Sequence, residues 1–384
     1  MSMTRIRHAI LLIDSATSGC AGGYVDGLYK NIERNGAVEV AVSYYFPFKY
    51  GKRVFFKYSE LAAQKRYRLG RARLYVRFLE LLWSFVKLFA YISFSHVKVV
   101  CYALSSNLLV EYLFLFVAKY LAGAKVYVVC HDVIPFALPN ENLPKQIQRR
   151  SAFYALADKL VVHNDNSVQD LRNTFKVSVD KIASFPFPIY DLESMRFRHV
   201  DVLGPSTRTR FLFVGHLRPE KGVDVLLEAW SRFYQKGEDV ELIIAGNLPA
   251  GCEYDFDGLR GSNLQLLARY LSDEEYVSLI RQSDCVVLPY QRGTNSAVVS
   301  TVLSLRKNMI VSDIDMFNNN PLIPSQSFFR RNSSEHLVER LTYFHRLGKA
   351  QLLGTAEAEH RFESYDRVFR EQLNRFFDSQ ISDS

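Results

Sequence analysis

The feature that most constrains the fold is an alternation of short apolar runs with longer amphipathic stretches along the whole chain. His8–Ile13 and Val97–Tyr102 are such runs in the first half, and Phe211–Val214 and Cys285–Leu288 are such runs in the second. Others are Val38–Val42, Lys125–Cys130, Lys159–His163, Lys181–Phe185, Val240–Ala245 and Met309–Val311. This rhythm is typical of βαβ units with a buried parallel sheet. The sequence therefore predicts an α/β protein with two Rossmann-like sheets in succession.

The length of the chain and one polar linker predict the domain boundaries. At 384 residues the chain is too long for one ordinary core and suits two α/β domains. Residues 201–210, DVLGPSTRTR, carry Gly, Pro and Ser with little apolar content, which is typical of a linker. We expect an N-terminal domain over residues 1–200, a C-terminal domain over residues 206–358, and a final helical segment over residues 359–384 that returns to the first domain.

Cysteine usage and the start of the chain indicate a cytoplasmic protein. The five cysteines are an odd number, are widely spaced, and form no CxxC pair and no zinc-type cluster with histidine. The first apolar run ends after a few residues at Asp14, which is too short for the core of a signal peptide. We therefore expect a reducing compartment and interpret the run as the first buried strand.

Much of the net charge of +8 is concentrated in one segment, which argues against general nucleic-acid binding. Ten Lys and Arg residues lie between Lys49 and Arg77 against Glu60 alone. The apolar, aromatic stretch Phe78–Ser95 follows, and the charges within it argue against a membrane-spanning helix. A basic segment beside an aromatic helix is what a protein resting on an anionic cytoplasmic leaflet needs. The alternative is a buried domain helix with a solvated basic face.

The segment Phe211–Leu227, FLFVGHLRPEKGVDVLL, combines a buried strand, a glycine, a short cationic loop and a helix. Ligands of such sheets bind beyond the carboxyl ends of the strands. Arg218 offers a forked donor and Lys221 a compact charge, and both suit phosphate oxygens. The sequence therefore predicts a diphosphate-binding loop here, with a solvated surface turn as the alternative.

This segment resembles the start of the second domain in the family-four retaining group of GT-B glycosyltransferases, of the bacterial cell-surface polysaccharide type. The resemblance continues in order through ELIIAGN, LARYLSDEEYVSLIRQSDCVVLPY and GTNSAVVSTVLSLRKNMIVSD. It implies a GT-B fold, in which two Rossmann-like domains face each other across a cleft. It also implies that Arg218 and Lys221 contact the donor diphosphate, that Gly246 and Asn247 lie beside the nucleotide, and that residues from Arg269 to Leu271 line the base pocket.

The chain departs from the family pattern at two places. His216 follows the strand glycine where many members have arginine, so Arg218 takes that role. The two glutamates that many members carry eight positions apart fall at Gly293 and Thr301, and neither residue is acidic. At these two positions the chain therefore lacks the carboxylates with which those members contact the donor sugar and ribose.

A polar triplet stands between those two positions and begins a helical run. Thr294, Asn295 and Ser296 precede Ala297, and a helix N-terminus presents unpaired backbone N–H groups to an anion. We interpret these four residues as a second phosphate-binding element. The alternative is an ordinary N-cap, which stabilises a helix by about 1 kcal/mol.

Three residues of the first domain complete the candidate site. Gly23, in a glycine pair after the first strand, resembles the family glycines near the donor phosphate and acceptor. His131 and Asp132 end a strand and are similar to the family's His-Asp pair, whose histidine faces the reacting sugar. We assign both to catalysis, with Asp132 orienting the imidazole or an acceptor hydroxyl. His163 ends another strand beside Asn164, which can cap the next helix, and we do not include it.

The resemblance implies transfer of a sugar from a nucleoside diphosphate, a UDP- or GDP-sugar, to a hydroxyl of a saccharide acceptor with retention of configuration. We expect that no cofactor or metal is required. The basic, aromatic first domain suggests an acceptor on polyprenyl diphosphate, surface polysaccharide biosynthesis and peripheral contact with the inner face of the cell membrane. The alternatives are a GT-B nucleotide-sugar epimerase and a degenerate, non-catalytic GT-B partner protein. A nicotinamide dehydrogenase is disfavoured because no G-x-G-x-x-G follows a strand.

Overall fold

The computed structural model describes residues 10–14, 22–32, 38–43, 53–56, 72–95, 97–103, 109–135, 142–192, 197–234, 239–259, 261, 263–348 and 350–382. The chain divides into two compact units. The first unit comprises residues 1–195 and 368–384, and the second comprises residues 196–367.

The first unit is built on a seven-stranded sheet in which every pair of neighbours is parallel. Its strands are β1 (Ile10–Asp14), β2 (Val38–Ser43), β3 (Arg53–Phe56), β4 (Val99–Ala103), β5 (Lys125–Val129), β6 (Lys159–Val162) and β7 (Ile182–Ser184). The strand order is β3-β2-β1-β4-β5-β6-β7, so the direction of winding reverses between β1 and β4. A reversal of this kind is the topological switch point of a doubly wound sheet.

Within the described part of the first unit, five helices connect these strands. They are α1 (Gly22–Asn31), α2 (Ala72–Ser95), α3 (Leu109–Tyr120), α4 (Leu143–Leu156) and α5 (Asp165–Asn173). One core cluster joins the sheet to α2 and α3, and within it the rings of Phe85 and Phe114 stack with centroids 4.5 Å apart. Helix α5 begins at an Asn164 cap, whose side chain accepts a hydrogen bond from the Ser167 N–H at 2.8 Å.

The second unit is built on a six-stranded parallel sheet. Its strands are β8 (Thr209–Val214), β9 (Val240–Ala245), β10 (Leu264–Leu267), β11 (Cys285–Leu288), β12 (Asn308–Ser312) and β13 (Phe328–Phe329). The order β10-β9-β8-β11-β12-β13 reverses between β8 and β11. The carboxyl ends of β8 and β11 are therefore the expected place for a ligand in this unit.

Helices α6 (Val223–Tyr234), α7 (Asp273–Gln282), α8 (Ala297–Ser304), α9 (Asp315–Asn318), α10 (Ser334–Leu347) and α11 (Ala356–Ser382) follow in the chain. Trp230 and Phe233 on α6 pack edge-on against Phe211 of β8, so the strand and the helix after the cationic loop share one core. Helix α7 begins with a capping box in which Ser272 and Glu275 exchange side-chain and backbone hydrogen bonds. From Val368 onward α11 belongs to the first unit, where Asn374 Nδ2 donates to the carbonyl of Asn31 at 2.9 Å.

The structure confirms the predicted α/β class and all ten strands proposed from the apolar runs. Three strands, β3, β10 and β13, were not predicted, and all three are sheet edges. Each of the three is only two to four residues long, and β3 and β10 include a polar residue, so none has the longer continuous apolar run that marks a buried central strand. Strand β3 lies in the basic segment, whose other residues from Lys49 to Arg71 are outside the described residues.

Candidate functional site

The cationic loop of the second unit lies at the carboxyl end of β8, beside the switch point. After β8 the chain passes Gly215, and the Leu217 N–H then donates to the carbonyl of Asn247 at 2.9 Å. A short 3-10 turn, Pro219–Lys221, ends at Gly222, which has a left-handed backbone (φ 64°) and leads into α6. This short segment between β8 and α6 places Arg218 and Lys221 within one loop.

Two glycines hold this loop close to its neighbours. A Cβ atom on Gly222 would lie 1.9 Å from the carbonyl oxygen of Pro289, at the end of β11. A Cβ atom on Gly246 would lie 1.7 Å from the carbonyl oxygen of Gly215. The Gln291 N–H also donates to the carbonyl of Glu220 at 2.9 Å. The loops after β8, β9 and β11 therefore meet at one edge of the sheet, and no side chain fits where they touch.

We expect Gly246→Ala to destabilise the second unit more than Gly215→Ala. Gly215 and Gly246 have nearly the same backbone (φ 141° and 143°), but a Cβ atom on Gly215 meets nothing within 4 Å. Both changes cost about 1 to 3 kcal/mol in backbone strain. Gly246→Ala adds overlap with the Gly215 carbonyl, for a further cost of about 1 to 3 kcal/mol. Urea unfolding of the two variants measures the difference, and equal losses of stability would contradict the observed packing.

Both cations of the loop are placed to receive an anion. The guanidinium of Arg218 is about one-third exposed, and its Nη1 lies 3.9 Å from Glu220 Oε1, beyond hydrogen-bond distance. Its Nε is buried and has no hydrogen-bond partner among the residues that the structure describes. The ammonium of Lys221 sits 3.8 Å from the centroid of the buried Tyr290 ring, which fixes the side chain by a cation–π contact.

A cavity of about 340 Å³ adjoins this loop. Its lining residues come from the loops after β8, β11 and β13, and they are Pro219, Glu220, Gln291, Arg292, Arg331 and Asn332. Arg331 is held in place because its N–H donates to Asp313 Oδ1 at 2.6 Å. The sequence did not indicate Arg292 or Arg331 as site residues. Only the sheet order, which puts the ends of β8, β11 and β13 on one edge, brings them near Glu220.

The predicted second phosphate element lies at the start of α8. Ser296 is the N-cap residue of this helix, but its side chain makes no capping hydrogen bond. Thr294, Asn295 and Ala297 are all partly exposed beside it. The side chain of Ser296 therefore does not supply the ordinary N-cap that was the alternative.

The two positions of the family glutamates have other uses in this chain. A Cβ atom on Gly293 would lie 3.2 Å from the sulfur of Met316, so the methionine of α9 occupies the adjoining space. Thr301 is fully buried, and its hydroxyl donates to the carbonyl of Ala297 at 2.9 Å, one helical turn earlier. Neither position offers a free polar side chain to a donor.

The residues predicted to lie near the nucleotide follow β9 and β10. Gly246 and Asn247 meet the loop after β8 through the contacts described above, whereas Arg269 and Leu271 follow β10, two strands from β8. The exposed guanidinium of Arg269 pairs with both oxygens of Glu275, at 3.0 and 2.6 Å. This contact lowers the pKa of Glu275 below its ordinary value. Arg269 is thus fixed at the start of α7.

In the first unit His131 and Asp132 follow β5, and a second histidine, His163, follows β6. His131 packs edge-on against the buried ring of Tyr24, with centroids 4.6 Å apart, and lies 5.8 Å from Phe187. The ring of His163 lies 5.9 Å from that of His131 and 5.3 Å from that of Tyr24. His163 Nδ1 is 3.0 Å from the carbonyl of Phe185, which fixes that nitrogen as the donor. His163 Nε2 is buried without a hydrogen-bond partner among the described residues.

His163 was not included in the predicted site, because Asn164 beside it can cap the next helix. Asn164 does cap α5, yet the imidazole beside it belongs to the same cluster as His131. Gly23 has a packing role that the sequence did not indicate, since a Cβ atom there would lie 2.8 Å from the Tyr190 ring. Asp132 follows His131 in the chain and is partly exposed. Among the described residues, no group of three or more His, Cys, Asp or Glu side chains is placed to hold a metal ion.

Both imidazoles are neutral at physiological pH. Burial lowers the pKa of His131 to about 4. Burial, together with the neighbouring His131, lowers the pKa of His163 to about 3. A neutral imidazole offers one donor and one acceptor nitrogen and carries no charge toward a substrate.

We expect the free energy of unfolding to fall as the pH decreases from about 6.5 toward 4. The unfolded chain binds protons at His131 and His163 over this range, whereas the folded chain does not. The stabilisation is therefore complete above the unfolded pKa and is lost as the pH falls toward the folded values. Urea unfolding at about pH 7 and about pH 5 measures this loss. His163→Asn should show a shallower pH dependence, and an unchanged dependence would contradict the assignment.

Comparison with known proteins connects the second unit to one family. Residues 194–352 match the family model described as Glycosyl transferases group 1. Over 200 residues, covering 50% of this chain and 51% of the relative, the chain is 24% identical to Alpha-D-kanosaminyltransferase from Streptomyces kanamyceticus. The match thus spans about half the length of that curated relative.

Solved structures match the whole architecture. Sucrose-phosphate synthase from Thermosynechococcus elongatus superposes with a TM-score of 0.65 at 15% identity, covering 98% of this chain and 99% of that one. The catalytic domain of Starch Synthase IV from Arabidopsis thaliana, bound to ADP and acarbose, superposes with a TM-score of 0.58 at 13% identity, covering 97% of each chain. At these identities the likeness to the solved structures establishes the fold alone. The chain therefore has the GT-B fold, and residues 194–352 match the Glycosyl transferases group 1 family.

Proposed function

We propose that this protein transfers a sugar from a nucleoside diphosphate to a hydroxyl group of a saccharide acceptor. The observation that carries the proposal is the loop holding Arg218 and Lys221, at the carboxyl end of β8 and inside the matched family region. The Nε of Arg218 has no hydrogen-bond partner within the described ranges, and the ammonium of Lys221 is held on the Tyr290 ring. A forked donor and a compact charge of this kind suit a diphosphate.

The proposed chemistry depends on charge that develops on the leaving diphosphate. As the bond between the anomeric carbon and the phosphate oxygen breaks, the electron pair goes to the diphosphate. Fixed cations at Arg218 and Lys221 and the backbone amides at the start of α8 would stabilise that charge. The acceptor oxygen attacks from the same face, and its proton leaves with the departing phosphate, so configuration is retained. His131, as a neutral imidazole, would hold a sugar hydroxyl by a hydrogen bond.

The donor and acceptor are proposed at the level of chemical class. We propose a UDP- or GDP-sugar as donor and a saccharide on polyprenyl diphosphate as acceptor, within surface polysaccharide biosynthesis at the cytoplasmic face of the membrane. The cationic segment between Lys49 and Arg77 supports an acidic, membrane-held acceptor. The relative named Alpha-D-kanosaminyltransferase supports a sugar-transferring activity.

The function is tested with a panel of UDP- and GDP-sugars. Each sugar nucleotide is incubated with the full chain, once with and once without an extract of polyprenyl-linked saccharides. If the protein is a transferase, one of the donors should give labelled sugar in the lipid fraction and release its nucleoside diphosphate. Conversion of the donor to another nucleotide sugar without an acceptor would favour the epimerase. Neither binding nor turnover of any donor would favour the non-catalytic partner, and the loss of carboxylates at Gly293 and Thr301 makes that alternative worth testing.

A further inference from the structure

We propose that the outer surface of two helices in the first unit binds to an anionic lipid bilayer. We call this surface the α2–α3 face and define it by Tyr75, Leu79, Trp83 and Phe94 on α2 and Leu109 and Leu113 on α3. It is separate from the loop around Arg218 and does not depend on the proposed function.

Helix α2 is apolar on two opposite faces. Leu81, Phe85, Leu88 and Ile92 form one face and are buried in the core of the first unit. On the other face the side chain of Trp83 is 64% exposed and that of Phe94 is 84% exposed. Apolar side chains at helical spacing on a solvent face contribute nothing to the core, so the exposed stripe needs another explanation.

Helix α3, which packs beside α2, also exposes bulky apolar side chains. The two helices pack through the stacked rings of Phe85 and Phe114. Leu109 and Leu113 lie one turn apart on the exposed side of α3, and Leu109 is 72% exposed. Two neighbouring helices therefore both present bulky apolar side chains to solvent, which exceeds the scattered exposure that is normal for a surface.

The geometry favours a helix that lies on the membrane over one that crosses it. Phe78–Ser95 has the length and hydropathy of a candidate membrane span, and 28% of this window is buried in the structure. The buried part includes Phe85, whose ring stacks on α3, so insertion of α2 across a bilayer would break the core of the first unit. If α2 lies in the plane of the membrane interface, the core stays intact and the α2–α3 face is covered by lipid. Amphipathic helices bind bilayers in this way.

The charges that precede this face in the sequence indicate an anionic lipid surface as its occupant. Arg73 and Arg77 stand in the first two turns of α2, at the end of a sequence segment with ten cations and one carboxylate between Lys49 and Arg77. Helices α2 and α3 contain only two carboxylates, Glu80, which is half-buried, and Glu111, which is buried. Trp83 and Tyr75 are the residue types that concentrate where acyl chains meet headgroups. Basic residues near such a helix strengthen binding to anionic lipids.

The fluorescence of the full chain provides a direct test, because the two tryptophans report separately. Trp230 is fully buried in the second unit, so a change in emission on adding vesicles comes from the exposed Trp83. We expect a blue shift and protection from acrylamide with vesicles of phosphatidylcholine and phosphatidylglycerol at low salt. The protein should bind vesicles of phosphatidylcholine alone at least tenfold more weakly than it binds the mixed, anionic vesicles.

Vesicle flotation with a matched pair of variants completes the test. Phe94→Ser combined with Leu79→Ser should reduce binding to the anionic vesicles at least tenfold, with an unchanged circular dichroism spectrum. Val179→Ser removes an exposed apolar side chain elsewhere in the first unit and should bind like the wild type. Equal binding of all three proteins, or no binding of the wild type, would overturn the proposal. So would a dimer in sedimentation that the double variant disperses, because the face would then join two copies.

Discussion

Lys221→Ala is expected to lower the rate of sugar transfer by about 100- to 1,000-fold. The ammonium of Lys221 is held 3.8 Å from the Tyr290 ring, at the end of the 3-10 turn that follows β8. A preorganised cation stabilises the bound diphosphate and stabilises the developing charge of the transition state more strongly, so its loss should lower kcat in addition to weakening donor binding. Steady-state transfer with the donor identified by the panel measures the effect.

The control for this prediction lies in the helix that follows the loop. Arg232 on α6 is exposed and pairs with Glu228 one turn earlier, so Arg232→Ala removes a cation of the same unit without touching the loop. It should leave transfer unchanged. Arg218→Ala should resemble Lys221→Ala, and the double variant should lose less than the product of the single losses, since both residues serve one diphosphate. Full transfer by both single variants would refute the diphosphate assignment.

His131→Ala is expected to lower transfer by about 100-fold or more while the donor still binds. The imidazole is packed against Tyr24 and stays neutral through the physiological range because burial lowers its pKa to about 4. Its proposed role is a hydrogen bond to the reacting sugar, whereas the diphosphate loop lies in the second unit. The measurement is kcat for transfer together with the dissociation constant of the donor.

Arg172→Ala, an exposed change on α5 of the same unit, is the matched control and should retain full transfer. The transfer rate of the wild type should also show no titration of His131 between about pH 6 and pH 8, because its pKa lies well below that range. Undiminished transfer by His131→Ala would show that the histidine is structural. A fall in donor affinity that matches the fall in transfer would also contradict the assigned role.

The central part of each sheet could be predicted from the sequence, because a strand buried on both faces must be a continuous apolar run. Phe211–Val214 and Cys285–Leu288 are such runs, and they form β8 and β11. The capping box of Ser272 and Glu275 can also be predicted from the sequence, since its two partners lie three residues apart. Arg218 and Lys221 were found for the same reason, because the loop that holds them is local in sequence.

The rest of the site depends on tertiary contacts that no local pattern shows. Arg331 reaches the cavity only because β13 is the edge strand beside β12. Met316 fills the space beside Gly293 from a helix that lies beyond the next strand. His163 could have been noticed as a second histidine at a strand end, but only the neighbouring positions of β5 and β6 bring its ring to 5.9 Å from His131.

Equilibrium binding measurements decide where the donor is held. The ligands are the active nucleotide sugar, UDP and GDP, and the proteins are the wild type and the double variant that combines Arg218→Ala with Lys221→Ala. We predict that the wild type binds one nucleotide per chain and that the double variant binds it at least about 100-fold more weakly, from two lost charge-assisted contacts. Arg232→Ala should bind like the wild type. Unchanged affinity in the folded double variant would show that the donor diphosphate is bound elsewhere.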